Sequence, residues 1–261
     1  MQSDSAIRLD QHGGVATIRF NRPRQRNAFT AGMIVALGEL LERLAGDGDC
    51  RVIALRGEGG YFCSGWDFNE LAAMRAGGDT ALRRQFADNL AVLDCLERHA
   101  KVTVSLVEGS TMGFGFSLAA RCDLVLAADN CRFALPEISL GIVPAIVMAD
   151  VGRSVPAKFA LDWLLTGRYI HPDEALRAAF VSQVFKASEF DESARRLVEQ
   201  LAKQSPAVLA RTKALFKELG DLSAAAAAEA GIEAAIAALN APAAEEGIAA
   251  VLEKREPNWP E

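Results

Sequence analysis

Short β-like runs and amphipathic helical stretches alternate through the first half of this chain. VATIRF (15–20) follows the turn-forming pair Gly13-Gly14 and reads as a strand. Residues 30–45 carry helical apolar spacing, with Thr30 at the capping position and Gly46 where the pattern stops. RVIALRG (51–57) is a short apolar run that suits a buried, parallel strand. A loop, EGGYFCSGWDF, separates it from a long helix expected over 79–98. VTVSLVEG (102–109), DLVLAAD (123–129) and the short CRFAL (131–135) read as further strands, with a glycine-bracketed helix between the first two. Such alternation predicts an α/β layered core.

Beyond about residue 155 the pattern turns helical, and VSQVF (181–185) is the one strand candidate. Residues 206–255 are rich in alanine, a strong helix former. The run AAAAAEAGIEAAIAALN is low in complexity, yet its apolar content predicts packing instead of disorder. A helical tail of this kind after an α/β core suits packing against another subunit. The 261 residues, 51% of them hydrophobic, suffice for one large domain or a domain with a smaller appendage.

Charge and cysteine usage narrow the function classes. A net charge of −6 argues against nucleic acid as the main partner, while leaving room for a local basic patch. Five cysteines, an odd number without CxxC spacing, argue against a disulfide framework or zinc site and fit a reducing compartment. His12, His99 and His171 lack partners at metal-ligand spacing, so no metal is expected. QSDSAIRLD is polar and acidic and no apolar run has spanning length, so a cytoplasmic, membrane-free protein is expected.

Two glycine-bearing segments carry the functional question: FCSGWD (62–67) and MGFGF (112–116). Both follow the C-terminal ends of presumed parallel strands, where ligands bind in open α/β sheets. One reading is a pair of ordinary tight turns. The other is a pair of free backbone N–H groups converging on one oxygen, an oxyanion hole. The second segment also opens a helix, whose first N–H groups have no intrahelical partner. Glu137 lies in the nearly apolar FALPEISLGIVP. It is either a surface turn residue beside Pro136 or a buried carboxyl with a raised pKa, suited to be a general base. Arg22, Arg24 and Arg26 alternate; in an extended segment they would project to one side, toward phosphates or simply into solvent. Ser64 is not in a GxSxG elbow, and Asp67 suits a loop brace.

FNRPRQRNAF, FCSGWDFNEL, the 109–123 segment, CRFALPEISLGIVP, LLTGRYIHPDEAL and EEGIAAVLEKREP occur in an order that resembles the crotonase superfamily, the enoyl-CoA hydratase/isomerase family. The resemblance covers roughly residues 10–258. It implies a spiral of ββα units over residues 1–200 and a C-terminal helical trimerisation region over 201–261. It further implies an acyl-CoA thioester substrate, no permanently bound cofactor, and a homotrimer or homohexamer. The amides of Trp66 and Phe114 align with the family's oxyanion donors. The family usually has glycine where Phe114 stands, so a Phe would be strained there if that position needed φ > 0. Of the two usual glutamates, one is kept as Glu137 and the other aligns with Ser117; a position used by some members for aspartate aligns with Ala145. Arg24, Gln25, Ser64, Gly65, Trp66, Asp67 and Lys254 are the implied coenzyme A contacts, Lys254 on a neighbouring subunit. Trp66, Phe114 and Met112 side chains either narrow the acyl pocket or belong to the core.

One carboxylate suffices to move a proton from Cα of a 3-enoyl thioester to Cγ, so isomerase chemistry is favoured. Hydration with a water held by Ser117, decarboxylation, and an idle acyl-CoA-binding protein on the same fold are the rival expectations.

Overall fold

The computed structural model describes residues 5–260. β1 (Ile7–His12) turns at Gly13-Gly14, both at positive φ, into the antiparallel β2 (Val15–Phe20). α1 (Ala31–Ala45) starts at Thr30, whose hydroxyl accepts from Met33 N–H as the sequence predicts. β3 (Val52–Gly57), α2 (Phe68–Ala76), α3 (Gly78–Arg98), β4 (Val102–Val107), β5 (Ser110–Met112) and α4 (Phe114–Ala120) follow. Then come β6 (Leu124–Ala128), β7 (Arg132–Ala134), a 3-10 turn (Pro136–Leu140), α5 (Ala145–Ser154), α6 (Ala157–Thr166), α7 (Pro172–Arg177) and β8 (Gln183–Phe185). α8 (Phe190–Ala202), α9 (Pro206–Gly220), α10 (Ala224–Leu239) and α11 (Pro242–Glu253) complete the chain.

The main sheet has the order β1-β2-β3-β4-β6-β8, parallel from β2 to β8. β5 and β7 pair in parallel as a second, smaller sheet. Thus β4–β5 and β6–β7 each place one strand in the large sheet and the next in the small one. Repetition of that step makes the chain spiral.

Alternation along the strands separates two cores. Ile18, Phe20, Ile53 and Leu55 pack on one side with Met33, Leu37, Leu41, Leu93 and Leu96 of α1 and α3. Val52, Ala54, Val104, Leu106 and Leu126 face the other side, against Phe190, Ala194 and Val198 of α8.

Two elements were not anticipated and one expectation is corrected. The polar N-terminal stretch includes strand β1, an edge strand that needs only one buried flank: Ile7 is inside while Asp10, Gln11 and His12 are exposed. The loop after FCSGWD contains α2, started by Asp67, whose carboxylate accepts from Asn69 N–H. The arginine segment is not extended. Pro23–Gln25 forms a 3-10 turn and Arg26 and Asn27 have φ of 49 and 57, so the three arginines do not share a side. Arg22 turns inward to Asp67 (2.9 Å) and the Ala28 carbonyl (2.6 Å), Arg26 lies over the Tyr61 ring, and Arg24 is exposed.

Arg121, which ends α4, locks it to its neighbours. Its guanidinium donates to Asp150 of α5 at 2.6 Å and to Asp94 of α3 at 2.8 Å, and it also pairs with Glu97. The Asp150 side chain is fully buried. Arg121→Met strands that carboxylate and is expected to lower stability by about 3 kcal/mol in urea denaturation, even with Arg153 still beside Asp150. Adding Asp150→Leu is expected to restore most of the loss.

Candidate active site

The segments 62–67 and 112–116 lie side by side at the C-terminal ends of β3 and β4. Cys63 N–H donates to Ser110 O (3.2 Å) and Met112 N–H to Cys63 O (2.9 Å), a parallel bridge centred on Thr111. Two residues on, Phe29 N–H donates to Gly65 O (2.8 Å) and Asp67 N–H to Phe29 O (2.9 Å). With the groups on either side of Trp66 turned to Phe29, the Trp66 amide faces the opposite way. It donates to no acceptor among the described residues, nor does the Phe114 amide at the first position of α4. A Cβ placed on Gly65 would lie 3.8 Å from Phe114 N, so the two amide-bearing turns adjoin.

Positive φ falls on Gly113 (φ 51, ψ −116), not on Phe114, which has ordinary helical backbone. Phenylalanine is therefore unstrained there. Its ring is buried between Phe29 (centroids 5.3 Å apart) and Trp66 (5.7 Å).

These turns open on a cavity of about 320 Å³, lined mainly by apolar side chains including Phe68, Leu71, Phe86, Ile142 and Val147. That volume is at the small end for a small-molecule site. Trp66, Phe114, Ser117, Ser64, Gly65 and Glu137 all line it. Among the described residues lining it, Glu137 carries the only ionisable side chain. The residue enters from the 3-10 turn after β7, and a Cβ on Gly113 would stand 2.7 Å from its Oε1. Oε2 is buried without a partner, and burial pushes the carboxyl pKa above its ordinary value. Ser117 is fully buried and its Oγ likewise has no partner.

Arg24, Gln25, Asp67, Lys254 and Met112 do not line the cavity. Gln25 is brought to the rim by its carbonyl, which accepts from Ser64 Oγ at 3.3 Å. Asp67 spends one oxygen on Arg22 and the other on Asn69 N–H, which makes it a brace. Lys254 is an exposed residue with φ 54 at the end of α11. His99 is buried against Leu41 O, and no cluster of three or more metal-ligating side chains occurs among the described residues. Sequence reasoning missed Asn89 and Phe86 of α3, which also line the cavity. A signal for Asn89 existed: it shares a helical face with Val92, Leu93 and Leu96, all buried.

The family model for enoyl-CoA hydratase/isomerase matches residues 10–261. The chain belongs to the enoyl-CoA hydratase/isomerase family. It is 34% identical over 251 residues to enoyl-CoA hydratase domain-containing protein 3, mitochondrial, of Rattus norvegicus, covering 95% of this chain and 82% of that protein. It is 31% identical over 271 residues to carnitinyl-CoA dehydratase of Proteus mirabilis, covering 97% and 98%. The crystal structure of human enoyl coenzyme A hydratase domain-containing protein 3 superposes with a TM-score of 0.92 at 29% identity, covering 98% of this chain and 100% of that one. Within this family fold, no single described helix is long and apolar enough to cross a membrane.

Burial of Glu137 has a thermodynamic signature. Its folded-state pKa is raised, so the native state holds the proton more tightly than the unfolded chain. The associated stability is present below the unfolded pKa and is lost as pH rises through the folded value. Glu137→Gln removes that loss. The variant is expected to melt higher than the parent at pH 7 and to show a smaller difference at pH 4, read by thermal scans at both values. Gly113→Ala should act locally: the added methyl meets Glu137 Oε1 and a residue is forced into positive φ, so turnover is expected to fall at least 100-fold.

Proposed function

We propose that the protein acts on acyl-CoA thioesters, with the Trp66 and Phe114 amides as oxyanion donors and Glu137 as the single acid/base. The observation that carries this reading is one carboxylate with a raised pKa in an apolar cavity beside two unpartnered amides. In this reading the thioester carbonyl oxygen accepts from both amides. Glu137 removes a proton from Cα of a 3-enoyl thioester, and the electrons move into a dienolate whose negative oxygen the amides hold. The carboxylic acid so formed returns the proton to Cγ, leaving the conjugated 2-enoyl product. Two sequential transfers use one group, so no second acid is required at Ser117 or Ala145. Coenzyme A belongs to the substrate, and its proposed contacts are Ser64 on the cavity wall, Gln25 bonded to it, and the exposed Arg24 next to Gln25.

A second reading has one observation in its favour. Ser117 Oγ is buried and unpartnered in the cavity. A water held there would let Glu137 run hydration of a 2-enoyl thioester.

The same reading includes a cytoplasmic homotrimer or homohexamer. Phe216, Leu239, Val251 and Leu252 of the C-terminal helices are at least 70% exposed, an apolar surface suited to cover by another copy. Lys254 would then reach a neighbouring subunit's coenzyme A.

Separate supply of 3-enoyl-CoA and 2-enoyl-CoA, followed by the absorbance of the conjugated thioester, distinguishes the readings. A rise with the first substrate is expected; a fall with the second would favour hydration. Glu137→Gln is expected to lower kcat by at least 100-fold. Full activity in that variant would remove Glu137 from the mechanism. The rate should follow a single ionisation above the ordinary carboxylate range, rising with pH as Glu137 loses its proton.

A further inference from the structure

Asn89 is the odd member of the cavity wall. It is 1% exposed, on the face of α3 that otherwise buries Val92, Leu93 and Leu96. Its Oδ1 accepts from Gln85 Nε2 at 3.0 Å, one helical turn back. Its Nδ2 donates to no atom of the described residues, although the residue lines the cavity together with Phe86, Leu71 and Val147. The nitrogen is accessible from the cavity, so water accepts from it in the empty chamber, and an apolar chain that displaces that water leaves the donor unmatched. Gln85, half-buried, holds the oxygen in place and so leaves the nitrogen as the group presented.

The rest of the lining restricts the partner. No lysine or arginine lines the cavity, and its one ionisable group, Glu137, is acidic. A carboxylate at the end of the acyl chain would therefore find no counter-charge and one like charge. An uncharged oxygen that accepts a hydrogen bond meets neither objection.

From this juxtaposition, an open Asn89 donor in a chamber without cationic side chains, we infer that the enzyme selects acyl groups bearing a neutral oxygen, a hydroxyl or carbonyl, on the chain beyond the reacting carbons. Asn89 is a specificity-determining residue, distinct from the acid/base Glu137. The inference rests on the thioester reading above and adds the class of acyl group.

Binding of saturated thioesters tests it without requiring turnover. Calorimetry would compare hexanoyl-CoA with its 4-, 5- and 6-hydroxy analogues and with a six-carbon acyl-CoA ending in a carboxylate. One hydroxy analogue is expected to bind about 10-fold tighter than hexanoyl-CoA, the worth of one net hydrogen bond, and the carboxylate analogue more weakly than either. Asn89→Leu is expected to abolish the hydroxy preference and to tighten hexanoyl-CoA. Asn89→Ala, which adds no bulk, should lose the preference too. Melting temperature is the readout that a merely structural asparagine would move the other way: Asn89→Leu should melt at or above the parent, whereas a structural role predicts a fall. Equal binding of plain and hydroxy thioesters by the parent, or a preference that survives in both variants, overturns the Asn89 inference alone. Failure to bind any of the thioesters overturns the thioester reading and this inference with it.

Discussion

The contact between Cys63 and the 110–115 segment is the constraint on which the site depends. Backbone bonds on both sides of Thr111 hold the two segments in register, but register alone does not set their separation. Gly115 does. A Cβ there would fall 2.5 Å from Cys63 O and 2.8 Å from Cys63 Cβ, so only glycine permits the approach. Gly113 adds the second half: its positive φ turns the chain from β5 into α4 and leaves the Phe114 amide at the helix start. Glycines on either side of residue 114 thus have separate purposes. One allows contact, the other supplies the turn, and the residue between them is free to carry a side chain.

That division explains why phenylalanine is tolerated at position 114. The function proposed for this position belongs to its N–H, and the ring finds a place between Phe29 and Trp66. The polar groups inside the cavity are a different matter. Ser117 and Ala145 line the same cavity and carry no carboxylate. Glu137 is left in an apolar wall with one oxygen unpartnered, which raises its pKa and brings it closer to the range of a working base at neutral pH. A second nearby carboxylate would have added like-charge repulsion to burial. Here burial is the first cause, and the single group titrates by itself.

Legibility in the sequence followed how local each signal is. β2, α1, β3, α3, β4 and β6 were readable because apolar period and caps such as Thr30 are written in adjacent residues. β1 was hidden because an edge strand buries one flank and most of its residues are polar. α2 was hidden because none of its residues is buried, so no apolar stripe exists to read. The arginine segment misled because alternation implies one face only in an extended chain, and Pro23 with the left-handed Arg26 and Asn27 breaks that geometry. Glu137 and the glycine pair were readable through their ordered resemblance to a family. Asn89 was not, since a polar residue on an apolar helix face acquires meaning only when the cavity opposite it is known.

The contrast between those last residues bears on what family membership can say. Backbone features, the bridge at Thr111 and the turn at Gly113, are built from main-chain groups and tolerate changes of side chain. In the proposed function they set the class of chemistry, charge developing on a carbonyl oxygen. In the same reading, reaction type and substrate choice rest on the few side chains that interrupt an otherwise apolar chamber: Glu137, Ser117 and Asn89, each buried or half-buried and each with at least one polar atom without a partner among the described residues. For Glu137 Oε2 and Ser117 Oγ, which are fully buried, this costs stability in the empty chamber. A substrate that supplies the missing partners recovers that cost on binding, and a substrate that lacks them does not. The same unfavourable groups therefore provide the means of discrimination, and the chamber's specificity resides in the difference between them and the surrounding apolar wall.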